Sequence, residues 1–153
     1  MFGINPDIIV ERKVKYSIGF CSCKIWKEEI HSQIGEKYFD EDDNVYRCRN
    51  CFDLFIKIGQ TLRIEDKIKH NFHMLGPRYC NLKFYKSYKE NPILCNEKGV
   101  ELIGQDLLDL KKDYPKDERD IVVEMNFFGT FVEAECLHIK SGIKTKINLY
   151  FDK

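Results

Sequence analysis

Residues 121–151 alternate apolar and polar side chains with a period of two, in three runs separated by turn residues, and few folds accommodate that pattern. Ile121, Val123, Met125 and Phe127 interleave with Val122, Glu124 and Asn126. Val132, Ala134 and Cys136 interleave with Glu133 and Glu135, and Ile143, Ile147, Leu149 and Phe151 with Lys144, Lys146 and Asn148. Successive side chains on a strand point to opposite faces, so one set is buried and the other is wetted. Phe128-Gly129-Thr130 and Lys140-Ser141-Gly142 supply the turns. The spacing predicts a three-stranded antiparallel meander with nothing after it to form a covering helix.

Further strands are expected upstream. Tyr16-Ser17-Ile18-Gly19-Phe20 and Phe52 to Ile58 have strand texture, with Gly59-Gln60-Thr61 as a turn. Ile68, Phe72 and Met74 recur at even positions around His70, and Leu75-Gly76-Pro77 is a break. Cys80, Leu82 and Phe84 alternate with Asn81, Lys83 and Tyr85. Val100 to Leu110 carries two short apolar stretches around Gly104, and Lys111 to Asp120 reads as a polar loop. Lys24 to Asn50 shows no sustained period and includes the acidic run Asp40 to Asp43; it reads as a polar surface insertion with one short ordered turn. Many short strands at hairpin spacing and no long helical pattern predict an all-β fold, an antiparallel β-sandwich.

Composition narrows the function. The chain has 153 residues, enough for one self-supporting domain, and 25 basic against 25 acidic residues. That balance gives no basic face for nucleic acid or an anionic membrane. No run approaches the roughly 20 apolar residues that span a bilayer, and the start lacks the regions of a secretory signal. A cytoplasmic protein is expected. The seven cysteines then argue against a disulfide framework, and Cys80 and Cys136 read as small hydrophobes on strand faces.

The order of these segments resembles the substrate-binding β-domain of the heat shock protein 70 family, most closely its divergent 12A/12B-like branch. Tyr16 to Phe20 looks like the first strand of that family's peptide cleft, and Phe55-Ile56-Lys57-Ile58-Gly59-Gln60-Thr61-Leu62 like the strand and turn before the second. Leu102-Ile103-Gly104 is similar to the Leu-Gly pair ahead of an outer strand, and Ile121 through Phe151 to the terminal meander. Phe2-Gly3-Ile4-Asn5-Pro6, Arg47-Cys48, Cys51-Phe52-Asp53 and Asn96-Glu97-Lys98-Gly99-Val100 match the divergent branch.

The resemblance implies a module that holds extended apolar peptides or unfolded proteins in a cleft between strand loops, with an apolar pocket for one aliphatic side chain. Carried onto this chain, the cleft would use Ile18, Phe20 and Cys23, then Phe72, Met74 and Leu75, then Cys80 and Leu82, with Ile121 as the pocket floor. Cys23 and Leu75, beside breaks in pattern, are the stronger candidates, because an apolar strand residue is more often core. Residues 1–15 would be the remnant of an interdomain connection and 16–153 the sandwich. The family's ATPase domain and helical lid have no counterpart here, so the chain is expected to be a fragment or truncated product. It would bind no cofactor itself, and ATP would act only through an ATPase domain in a longer product.

A second pattern competes. Cys21-Ser22-Cys23 and Cys48-Arg49-Asn50-Cys51 put four thiols in two close pairs, an arrangement that suits a structural zinc ion in a small interaction module. The CxxC spacing is usual for a zinc knuckle, CxC less so. No enzyme is expected. His31, His70, His73 and His138 are scattered, no serine lies in a nucleophile-elbow pattern, and the CxxC lacks the strand–helix setting of a redox motif.

Overall fold

The computed structural model describes residues 11–32 and 34–150. In chain order its elements are β1 (Glu11–Lys13), β2 (Ser17–Ile25), the single-turn helix α1 (Glu28–His31), β3 (Lys37–Asp40), β4 (Val45–Ile56), β5 (Thr61–Arg63), β6 (Lys67–His73), β7 (Tyr79–Ser87), β8 (Val100–Asp109), β9 (Asp120–Phe127), β10 (Phe131–His138) and β11 (Lys144–Tyr150). A 3-10 turn, Lys116–Glu118, precedes β9. The chain is all-β, built of antiparallel sheets of the kind found in sandwich folds. It divides into two compact units, one made of Met1–Val14, Gly59–Cys80 and Leu107–Lys153, the other of Lys15–Ile58 and Asn81–Asp106.

The first unit carries a four-stranded sheet in the order β11-β10-β9-β6 and the ribbon β1-β5. The predicted meander is present with its predicted faces. Val132 pairs with Phe127 on one side and Leu149 on the other. Ile121, Val123, Met125, Phe127, Val132, Ala134, Cys136 and Leu149 are all buried. Phe151 lies outside the described residues, as does the Phe2-Gly3-Ile4-Asn5-Pro6 stretch. Gly129 and Gly142 take positive φ in the two turns, which other residues adopt only with strain. His138 ends β10 on the same apolar face and is fully buried. Its ring is nonetheless satisfied: Nε2 donates to the Glu118 carbonyl at 2.6 Å, and the Ser141 hydroxyl, 2.7 Å away, donates to Nδ1. The Tyr114 ring packs edge-on at 4.6 Å.

The second unit carries most of the sheet β3-β4-β2-β7-β8. Its core includes Tyr16, Ile18, Phe20, Phe52, Phe55, Ile56, Leu82 and Phe84, with the Phe20 and Phe84 rings 5.3 Å apart. Buried Ser17 donates its hydroxyl to the Lys89 carbonyl and accepts from the Ile58 N–H, so this polar side chain also finds partners. The two apolar stretches around Gly104 form one strand, β8, because glycine weakens a strand without ending it.

Lys24 to Asn50 is more ordered than the expected polar insertion with one short turn. It contains α1, β3 and the first half of β4, and β3 and β4 form a hairpin pairing Tyr38 with Arg47 and Asp40 with Val45. The apolar alternation is missing because an ion pair fills its place: Arg47 Nε donates to Asp40 Oδ2 at 2.7 Å and its Nη2 reaches Asp43. The acidic run is the turn itself. Asp40 Oδ1 accepts the N–H groups of Asp42 and Asp43, a local bond that folds the chain back.

Two outcomes are expected. His138→Ala should destabilise the protein by about 2–4 kcal/mol in urea unfolding, since it opens a cavity and strands the Glu118 carbonyl. Arg47→Ala should cost about 1–2 kcal/mol. Arg47 holds the Asp40 carboxyl below the usual carboxylate range, aided by the Asp43 and Asp42 N–H groups and opposed by burial. A carboxylate lowered in the folded state stabilises fully above its unfolded value near 4 and loses that contribution as pH falls through the folded value. The gap between wild type and Arg47→Ala should therefore narrow as pH falls below about 4.

Candidate functional site

The nine residues assigned to a peptide cleft fall into both units. Ile18, Phe20 and Leu82 are core residues of the second unit, and Cys23 is half-buried there. Met74 and Ile121 are core residues of the first unit, where Phe72 and Cys80 are half-buried. Leu75 alone among the nine is exposed, at 45%. It follows β6 in a loop fastened on both sides. The Met74 N–H donates to the Arg119 carbonyl, and Arg119 Nη1 donates back to the Leu75 carbonyl at 3.1 Å. The Pro77 and Arg78 carbonyls accept the N–H groups of Tyr114 and Leu110. Arg78 also pairs with Asp109 at 2.9 Å, and that guanidinium, then the Lys111 N–H, lowers the Asp109 carboxyl to about 2.

The cysteines are arranged differently from the expected set of four. In a regular strand, residues 48 and 51 point to opposite faces. Here Ser22 opposes Cys51 and Lys24 opposes Cys48, so β4 spends three steps where β2 spends two. The extra residue is a β-bulge, and Asn50 carries it at φ 56, in the left-handed region that asparagine tolerates. The bulge turns both thiols to one buried face. The Ile93–Cys95 segment ties it down, with the Cys95 N–H on the Asn50 carbonyl at 2.7 Å and the Phe52 N–H on the Ile93 carbonyl at 2.9 Å.

That face meets α1, not the other two thiols. His31, Cys48 and Cys51 bring one donor atom each to within 4.8 Å of one another, and all three are buried. Among the described residues this is the one such grouping of His, Cys, Asp and Glu. Cys21 and Cys23 are displaced from it because the register sets Ser22 and Lys24 against the CxxC. Cys21 lies instead beside Cys95, and the hydrogen bond between them lowers the Cys21 thiol and raises that of Cys95. Cys23 lies beside the Tyr38 hydroxyl, which burial, then Cys23, raises to about 12.

Close approach at the cluster depends on Gly35. A Cβ there would fall 2.9 Å from Cys48 Sγ and 2.8 Å from the Trp26 ring, so no larger residue fits without displacement. Glu28 steadies α1 by accepting from the Trp26 indole N–H at 2.8 Å and from Lys37 at 3.4 Å. Burial raises the Cys51 thiol to about 12, whereas burial with Lys24 and Lys27 nearby keeps the His31 imidazole below its usual range. A cavity of about 200 Å3 opens beside His31 and Cys51, lined also by Lys24, Lys27 and Pro92. His31 was missed in the sequence because a lone histidine in a polar segment carries no period; the available signal was an upstream histidine combined with a CxxC.

No protein-family model matches the chain, and no curated protein matches it. Among the described residues, no helix is long and apolar enough to cross a membrane.

Asn50→Val should destabilise the protein by about 1–3 kcal/mol, because a β-branched residue resists the left-handed conformation. Asn50→Gly should stay within about 0.5 kcal/mol of wild type. Urea midpoints of the two variants provide the comparison.

Proposed function

We propose that this chain is a peptide-binding module similar to the substrate domain of heat shock protein 70 chaperones. It holds extended apolar segments of unfolded proteins in the cytoplasm, and an ATPase domain outside these 153 residues drives release. The all-β antiparallel fold and the terminal meander support this reading. The observation that carries it is Leu75, an exposed aliphatic side chain on a loop whose backbone is fixed by Arg119, Tyr114 and Leu110. A surface ordered before binding loses little entropy when it captures a ligand, and an exposed apolar group on it gains by being covered. Of the other assigned residues in the same unit, Phe72 and Cys80 are half-buried and contribute, while Met74 and Ile121 act from the core by shaping the strands.

The test is fluorescence anisotropy with a labelled extended peptide carrying a central leucine. Binding should weaken by about 10-fold, equivalent to about 1.4 kcal/mol, in Leu75→Asp. The circular dichroism spectrum should be unchanged. A peptide that binds no better than its leucine-free counterpart, or binding indifferent to Leu75, would defeat the proposal.

A further inference from the structure

The bulge in β4, the turn of α1 and Gly35 together bring two thiols and an imidazole to one buried point. We propose that His31, Cys48 and Cys51 are the protein ligands of a thiophilic divalent cation, zinc, whose fourth position opens on the adjoining cavity. Thiolate and imidazole are the donor types that zinc selects. Ligands at roughly 2.0–2.3 Å from a tetrahedral ion lie roughly 3.5–3.8 Å apart. The donor atoms here, within 4.8 Å of one another, need to close by at most about 1.3 Å.

Loading exchanges weak bonds for strong ones. The Cys48 and Cys51 thiols now rest against the carbonyls of Arg49 and Cys48 at 3.5 and 3.4 Å. Both release their protons to solvent as the two sulfur–metal bonds form, so the bound cation and two thiolates are neutral together. The Lys27 N–H now donates to His31 Nδ1 at 2.9 Å. A neutral imidazole has one lone pair on nitrogen, so giving it to the metal frees that N–H, and the first turn of α1 adjusts. The cavity lined by His31 and Cys51 leaves room for water as fourth ligand, beside the Lys24 and Lys27 side chains. This proposal is independent of the peptide-binding reading.

The full chain, reduced and freed of metal, should bind one equivalent of cobalt(II) with sulfur-to-metal charge-transfer absorption, and zinc should displace it. Trp26, the sole tryptophan, has its ring 5.3 Å from that of His31, so its fluorescence should change in step. Gly35→Val retains every ligand but wedges them apart, and should weaken binding by roughly 10–100-fold. His31→Gln and Cys51→Ala should weaken it further, while Cys23→Ala should bind as wild type. Should Cys51→Ala fail to fold by circular dichroism, His31→Gln carries the ligand test. Several results would overturn the proposal: no thiolate charge transfer, a Cys48–Cys51 disulfide in place of metal uptake, binding that survives His31→Gln, or loss in Cys23→Ala that matches the ligand variants.

Discussion

A departure from the two-residue period of a strand, between Cys48 and Cys51, organises the thiol-bearing end of the second unit. Between Cys48 and Cys51 the chain inserts one residue, Asn50, in a left-handed conformation, and the partner strand β2 has no matching residue. Without that bulge one thiol would face the other side of the sheet. With it, both face α1, and Ile93–Cys95 can hydrogen-bond to the displaced backbone. The local strain of about 1 kcal/mol for a left-handed residue is offset by those bonds and by the burial of Cys48, Cys51 and Leu94 against Trp26 and Ile93. Bulges of this kind re-aim side chains, and here the re-aimed groups are soft metal donors.

The first unit follows a different economy. Its sheet follows the alternating rule, and the most deeply buried polar group on its apolar face is His138. His138 belongs there because both ring nitrogens are bonded, to Glu118 and Ser141, and the ring packs against Tyr114. A buried polar group so satisfied costs little and fixes the positions of its partners. It thereby connects the Lys116–Glu118 turn to the β10–β11 hairpin. The same turn region supplies Arg119, which holds the Leu75 carbonyl, so the ordering of the exposed leucine traces back through a few hydrogen bonds to a buried imidazole.

The regular part of this fold was readable from residue order. Ile121 to Leu149 alternate as a half-buried sheet must, and the β7 pattern of Leu82 and Phe84 behaves likewise. The β3–β4 hairpin was not readable, because Asp40 and Arg47 occupy positions where alternation expects apolar side chains; their pairing is visible only once the strands face each other. The thiol arrangement was half readable. Cys48 and Cys51 belong together, yet spacing alone could not reveal that β2 presents Ser22 and Lys24 to them, or that His31 completes the group. Nor can alternation separate a cleft-lining aliphatic from a core one: Ile18, Met74 and Ile121 have the same pattern as any buried strand residue, and burial sorts them.

The two units are threaded through each other along the chain, which passes between them at residues 14–15, 58–59, 80–81 and 106–107. Neither is a contiguous stretch, so no single truncation removes one and spares the other. Each closes only after distant segments meet, and such topologies reach the native state slowly because loop-closure entropy is spent before the rewarding contacts form. During synthesis β6 must wait for β9, beyond Leu107, before the first sheet can close. Unpaired strand edges exposed during that interval are the surfaces most prone to aggregate.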